Sequence, residues 1–183
     1  MTLVTALYDA SVLYPSLTRN LLIHLATSGL VAARWTEQIQ DEWTRNLLQD
    51  RPDLVPERLN RTRRLMDAAV PDALVDGYQE LLESLSLPDP DDRHVLAAAI
   101  TARADVLITW NLRHFPYETV NSYDIELLTP DDLVCRLLAQ SPQETRQAVE
   151  ALRVSLRNPP YSWSGLLERF GQVGLVQTAE FLK

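Results

Sequence analysis

Three acidic residues stand at the ends or edges of separate segments of a 183-residue chain. Asp9 closes the apolar run Leu3-Val4-Thr5-Ala6-Leu7-Tyr8. Glu42 lies between Ile39 and Trp43 in an amphipathic stretch, and Asp92 ends Pro88-Asp89-Pro90-Asp91-Asp92. Carboxylates gathered from such segments repel one another unless a divalent cation offsets their charge, and hard oxygen ligands that leave room for water suit Mg²⁺ or Mn²⁺. Each acid also has a purely structural use. Asp9 would cap a turn, Asp92 would favour a helix dipole, and Glu37 and Asp41 compete with Glu42 for its place. A fourth candidate segment runs from Ile108 to Pro116, where an apolar strand enters a polar turn. Thr109 and Asn111 are placed there to add neutral oxygens, and Arg113 and His114 to meet phosphate.

The elements that must position these residues follow from the hydrophobic pattern. Residues 3–8 read as a buried parallel strand, and Asp9 falls at its carboxyl end, the edge where open parallel sheets bind ligands. Leu17, Leu21, Leu22 and Leu25 recur at helical spacing between Pro15 and Gly29. Residues 30–35 form a second strand. Thr36 caps a helix from Glu37 to about Gln49 with Ile39, Trp43 and Leu47 on its buried stripe, so Glu42 borders that stripe. A further helix after Pro52 carries Arg58, Arg61, Arg63 and Arg64. Asp89 suits an N-cap and Pro90 a first helical position, opening a helix over 91–103 that leads into the strand Val106–Thr109. A strand over 125–128 precedes a helix capped near Thr129-Pro130. This alternation predicts an α/β fold with a central parallel sheet of four to five strands. Beyond Ser141 only helices are expected, interrupted at Asn158-Pro159-Pro160. The chain therefore divides into a domain over 1–140 and a helical extension over 141–183.

Composition bounds the function. With 46% hydrophobic and 23% charged residues, the chain can bury a core. One cysteine excludes an internal disulfide, the longest uncharged run is too short and polar to span a bilayer, and the first residues lack the pattern of a signal peptide. A cytoplasmic protein without a membrane partner is expected. The net charge of −8 argues against a nucleic-acid partner in the mean. Locally, though, arginines concentrate over 51–64 and acids over 71–92, as a cation-dependent phosphodiesterase would require, although composition alone fits an ordinary solvated helix face better.

Taken in order, LYDASVLYPS, IQDEW, PDPDDRHVLAAAITARADVLITW, NLRHFP and IELLTPDDLV resemble the PIN-domain family, in particular its VapC-like ribonuclease toxins. The resemblance spans roughly residues 3–138 and implies a three-layer PIN-like fold. It also implies Mg²⁺- or Mn²⁺-dependent hydrolysis of RNA, with Asp9, Glu42 and Asp92 as metal ligands. Ser11, Thr109 and Asn111 would then position the metal's waters. Arg58, Arg61, Arg64, Arg113 and His114 would follow the RNA backbone, a small antitoxin would cover the cleft, and the toxin would form a homodimer. One departure stands out: where many members carry a fourth acid, this chain has Asn111. That lowers the site's charge and puts a second metal in question, unless Asp91 or Asp89 compensates through water.

Two other readings stay open. An α/β phosphohydrolase using Asp9 as nucleophile generally needs a second acid two residues on, where this chain has Ser11, and a lysine, of which the chain has only Lys183. A PIN-like fold that binds protein without cleaving RNA would accommodate Asn111.

Overall fold

The computed structural model describes residues 3–183. Four short strands build the sheet: β1 (Val4–Tyr8), β2 (Val31–Arg34), β3 (Val106–Ile108) and β4 (Glu126–Leu128). All pair in parallel in the order β2-β1-β3-β4, which puts β1 in the middle with Leu7 opposite Leu107 and Tyr8 opposite Ile108. A strand covered on both faces has no use for alternation. Accordingly Ala6, Leu7 and Tyr8 are all fully buried, as are Leu107 and Ile108. The backbone N–H of Asp9 donates to the carbonyl of Ile108 at 3.0 Å, so β1 stays paired up to the residue that turns into the site.

The helices that hold the site are α1 (Ala10–Leu13), α2 (Ser16–Thr27), α3 (Glu37–Asp50), α4 (Pro56–Ala69) and α5 (Arg93–Thr101). Two of them differ from the pattern-based expectation. A helical turn, α1, follows Asp9 at once, because the Asp9 carboxylate takes up the free N–H of Ala10; Pro15 then separates it from α2. The expected helix over 91–103 begins only at Arg93, since Pro90–Asp92 form a tighter 3₁₀ turn capped by Asp89. Asp92 consequently sits on the lip of α5 and makes no capping bond of its own. Its carboxylate is left for the cleft.

The remaining helices are α6 (Tyr117–Asn121), α7 (Pro130–Gln140), α8 (Pro142–Ser155), α9 (Trp163–Gln172) and α10 (Val176–Phe181). They are not a loose appendage: α8 packs against α2, and α10 packs against α7 and α9. Ala148, Val149 and Leu152 of α8 join Phe170 and Leu182 in the same continuous apolar cluster as the sheet. The buried carboxylate of Asp131 in α7 accepts N–H bonds from Gln177 at 3.0 Å and Thr178 at 2.8 Å, taking up free donors at the start of α10. Among the described residues no helix is long and apolar enough to cross a membrane.

Asp131→Ala should therefore leave those two N–H groups unpaired and destabilise the protein by about 1–3 kcal/mol. Urea unfolding measures this; an unchanged midpoint would show that the contact contributes nothing.

Candidate active site

The site begins with one buried carboxylate. Asp9 is only 4% exposed, yet it accepts three hydrogen bonds. Oδ1 takes the N–H of Ala10 at 2.8 Å, while Oδ2 takes the hydroxyls of Ser11 and Thr109, each at 2.7 Å. The two hydroxyls lie 3.2 Å apart, and each also accepts from the strand-end loop. Trp110 N–H donates to Ser11 at 3.1 Å, and Asn111 N–H donates to Thr109 at 2.9 Å. Asp9 thus anchors both the start of α1 and the loop after β3. Burial raises its pKa above the ordinary carboxylate value; the two hydroxyls oppose that shift, and the charge of Glu42 adds to it.

Glu42 is fixed by the placement of α3. Thr36 caps that helix by accepting from Ile39 N–H at 3.0 Å, and Trp43 is fully buried beside Glu42. The Trp43 indole donates to Gln40 at 2.6 Å. The Gln40 amide and the Trp35 indole in turn donate to Asp67 of α4, at 3.2 and 2.9 Å. Buried Arg19 lies 4.5 Å over the Trp43 ring and donates to the carbonyl of Leu13 at 2.6 Å, joining α1, α2 and α3; desolvation lowers its pKa to about 10. The rival acids of α3 are otherwise engaged, because Arg63 pairs with both Glu37 and Asp41 at 2.6 Å. Glu42 instead faces His94, its Oε2 lying 3.3 Å from Nε2.

Asp92 completes the set from the lip of α5, 2.9 Å from His114 Nδ1. Burial raises its pKa, the charge of His114 lowers it, and that of Asp9 raises it again. Asp9 is therefore coupled electrostatically to both Glu42 and Asp92. All three line a cleft of about 670 Å³, together with Asn111, Asp91, Asp89 and His114. Asp91 is exposed, and its N–H caps onto Asp89 at 2.9 Å.

Arg113 is exposed beside the cleft, and Arg58, Arg61 and Arg64 on α4 do not line it. The guanidinium groups that do are Arg45 and Arg93. Sequence reasoning passed over both, although Arg45 and Asn46 follow Glu42 by three and four residues and so share its helix face. It also missed His94, which is 5% exposed and leaves Nδ1 without a partner. A histidine inside an alanine-rich helix gave no such signal.

Among the described residues no group of three His, Cys, Asp or Glu side chains is gathered tightly enough to wrap a metal ion. The donors are nonetheless hard oxygens in an open cleft. A carboxylate has about four acceptor sites, so the three bonds on Asp9 leave one free. Such a set fits a cation that keeps several waters and takes few protein ligands directly, which is the habit of Mg²⁺.

The family pattern described as PIN domain matches residues 5–113, more than half of the chain. The chain belongs to the PIN-domain family. Asp9, Glu42, Asp92 and Asn111 all fall within the matched PIN region. A second pattern, described as VapC50 C-terminal domain, matches residues 130–183, which takes in α7 to α10. The PIN-domain chain is 34% identical over 100 residues to the Mycobacterium tuberculosis protein named "Putative ribonuclease VapC50". That alignment covers 55% of this chain and 59% of the relative. No solved structure matches.

The raised pKa of Asp9 carries a stability prediction. Without a divalent cation, the folded state holds the Asp9 proton more tightly than the unfolded state. The contribution of Asp9 to stability is then greatest below the ordinary carboxylate range and falls as pH rises from there through the raised value. Asp9→Asn removes the buried charge, and in EDTA at neutral pH it should raise the unfolding midpoint by a few degrees, on the order of the response to 1 kcal/mol. Added Mg²⁺ should raise the midpoint of the wild type and leave that of the variant unchanged. A lower midpoint for Asp9→Asn in EDTA would contradict this.

Proposed function

We propose that the chain is a divalent-cation-dependent ribonuclease that hydrolyses RNA phosphodiester bonds and serves as the toxin of a toxin–antitoxin pair. The observation that carries the reading is the single cleft that Glu42, Asp9 and Asp92 line at the carboxyl edge of a parallel sheet, with Asp9 buried and held by two hydroxyls. Membership of the PIN-domain family supports hydrolysis, and the name of the M. tuberculosis relative supports RNA as the substrate. That membership also disfavours the phosphohydrolase reading, which would need Asp9 as a nucleophile.

In this proposal Asp9, Glu42 and Asp92 hold Mg²⁺ or Mn²⁺. When bound, the cation supplies charge neutralisation and Lewis acidity toward a phosphoryl oxygen. The protein's own groups do the rest. Ser11 and Thr109 favour the ionised form of Asp9 and orient it, since each donates a hydrogen bond to Oδ2. His94 steadies Glu42. His114, held through Nδ1 by Asp92, turns its other nitrogen to a substrate phosphate, joined by Arg45 and Arg93. Asn111 brings an uncharged amide to the same cleft, and Asp91 sits within reach of bound water. Arg113 and the α4 residues Arg58, Arg61 and Arg64 are candidates to follow a longer RNA outside the cleft. We assign residues 1–140 to the nuclease domain and 141–183 to the extension, with a small antitoxin over the cleft and a homodimer as the assembly.

Cleavage of synthetic RNA by the purified protein tests the reading. Activity should require Mg²⁺ or Mn²⁺ and disappear in EDTA, and Glu42→Gln or Asp92→Asn should each lower kcat/KM by roughly 10²-fold or more. Protein that is folded, supplied with cation and still inert toward RNA would favour a non-cleaving, protein-binding cleft.

A further inference from the structure

A second cleft, of about 460 Å³, adjoins the first and shares Glu42, Asn46 and Asn111 with it. Its volume lies in the range of about 300–1,000 Å³ common to small-ligand sites. The walls are distinctive. Tyr14, at the end of α1, donates its hydroxyl to Asp50 Oδ2 at the end of α3 with a distance of 2.7 Å, so the two helix ends frame the opening. Gln49 adds an amide and Trp110 an aromatic ring.

Trp110 is held on two sides. Its N–H donates to Ser11, which places it directly beside the Asp9 network. Its ring rests against Gly174, in the turn between α9 and α10. A Cβ there would stand 3.1 Å from the ring, and the backbone has a φ of +91°, which favours glycine. The C-terminal helices thus fix an aromatic wall next to the catalytic carboxylate.

Neither lysine nor arginine lines this second cleft, whereas Glu42 and Asp50 do. A phosphate is therefore unwelcome in it, while an uncharged base that offers N–H donors is not. Asp50 gives one acceptor position to Tyr14 and keeps its other oxygen and a further lone pair. Guanine alone among the four RNA bases presents two adjacent N–H donors on its Watson–Crick edge, matching the two oxygens of a carboxylate. Unstacked RNA bases are read in this way, by stacking on aromatic rings and bonding along that edge.

We propose that this second cleft is a guanine-recognising subsite for a nucleotide next to the scissile phosphodiester, with Asp50 reading the base and Trp110 stacking on it. The proposal rests on the ribonuclease reading and deepens it by naming a specificity-determining residue. Asp50 stands on the surface at a helix end, so Asp50→Asn exchanges one acceptor for a donor without disturbing the core.

The test uses short uridine oligomers carrying a single guanosine, adenosine or cytidine. Binding is followed by fluorescence anisotropy on Asp9→Asn protein, in which the cation site is disabled and the RNA stays uncut, and cleavage is followed on wild type with Mg²⁺. The guanosine oligomer should bind about tenfold more tightly than the others and be cut preferentially beside the guanosine, and adding Asp50→Asn should erase the preference while leaving RNA binding in place. Trp110→Phe, which keeps an aromatic ring against Gly174, should retain it. Affinities equal within about twofold, or a preference untouched by Asp50→Asn, would overturn the subsite while cleavage by wild type still upheld the ribonuclease reading. If no oligomer is bound or cut, the ribonuclease reading falls and the subsite with it.

Discussion

Everything in this protein is arranged around a carboxylate that should not be comfortable where it is. Asp9 is buried at the end of the central strand, where the charge of Glu42 raises the cost of its own charge, and it in turn raises that of Asp92. Two hydroxyls and one backbone N–H offset part of that cost, and they come from different parts of the chain: Ala10 and Ser11 directly after β1, Thr109 directly after β3. The sheet register is what makes the arrangement possible. With Tyr8 opposite Ile108, the next residues on the two strands, Asp9 and Thr109, emerge side by side. A shift of register would separate the hydroxyl from the carboxylate it holds.

The flanking layers serve the same arrangement. Arg19 over Trp43, and the chain of bonds from Trp43 through Gln40 to Asp67, lock α3 against α1, α2 and α4. Glu42 is thereby presented to the cleft as a fixed charge. Arg63 pairs with the neighbouring acids Glu37 and Asp41, offsetting part of their charge. From the other side, Asp131 ties α10 to α7, and Gly174 sets the C-terminal turn against Trp110. The extension matched by the VapC50 C-terminal pattern is thus in contact with the loop that carries Asn111. Stability is spent on holding like charges together, a cost that a divalent cation would offset.

Much of this was legible in the sequence. The strand ending at Asp9, the Thr36 cap, the helical stripe that places Glu42 and the Asp89-Pro90 start signal all rest on local patterns, and the four-stranded parallel sheet follows from their alternation. What was not legible depends on three-dimensional neighbours. Asp41 and Glu42 both line the cleft, and which of them is tied up in an ion pair is decided by Arg63, which comes from another helix. The basic side chains of the cleft are Arg45 and Arg93 and not the conspicuous run on α4, because clustering along the chain says nothing about which helix face meets the sheet edge. His94 and the approach of Gly174 to Trp110 are likewise products of packing.

We propose that Glu42, Asp9 and Asp92, which line one cleft, together hold a divalent cation. Titration of the purified protein with Mn²⁺, followed by the relaxation of water protons, addresses it without any substrate. Saturable binding by the wild type, lost in Asp9→Asn and weakened in Glu42→Gln and Asp92→Asn, is the result expected. Equal Mn²⁺ binding by the wild type and all three variants, or none by any of them, would contradict the account.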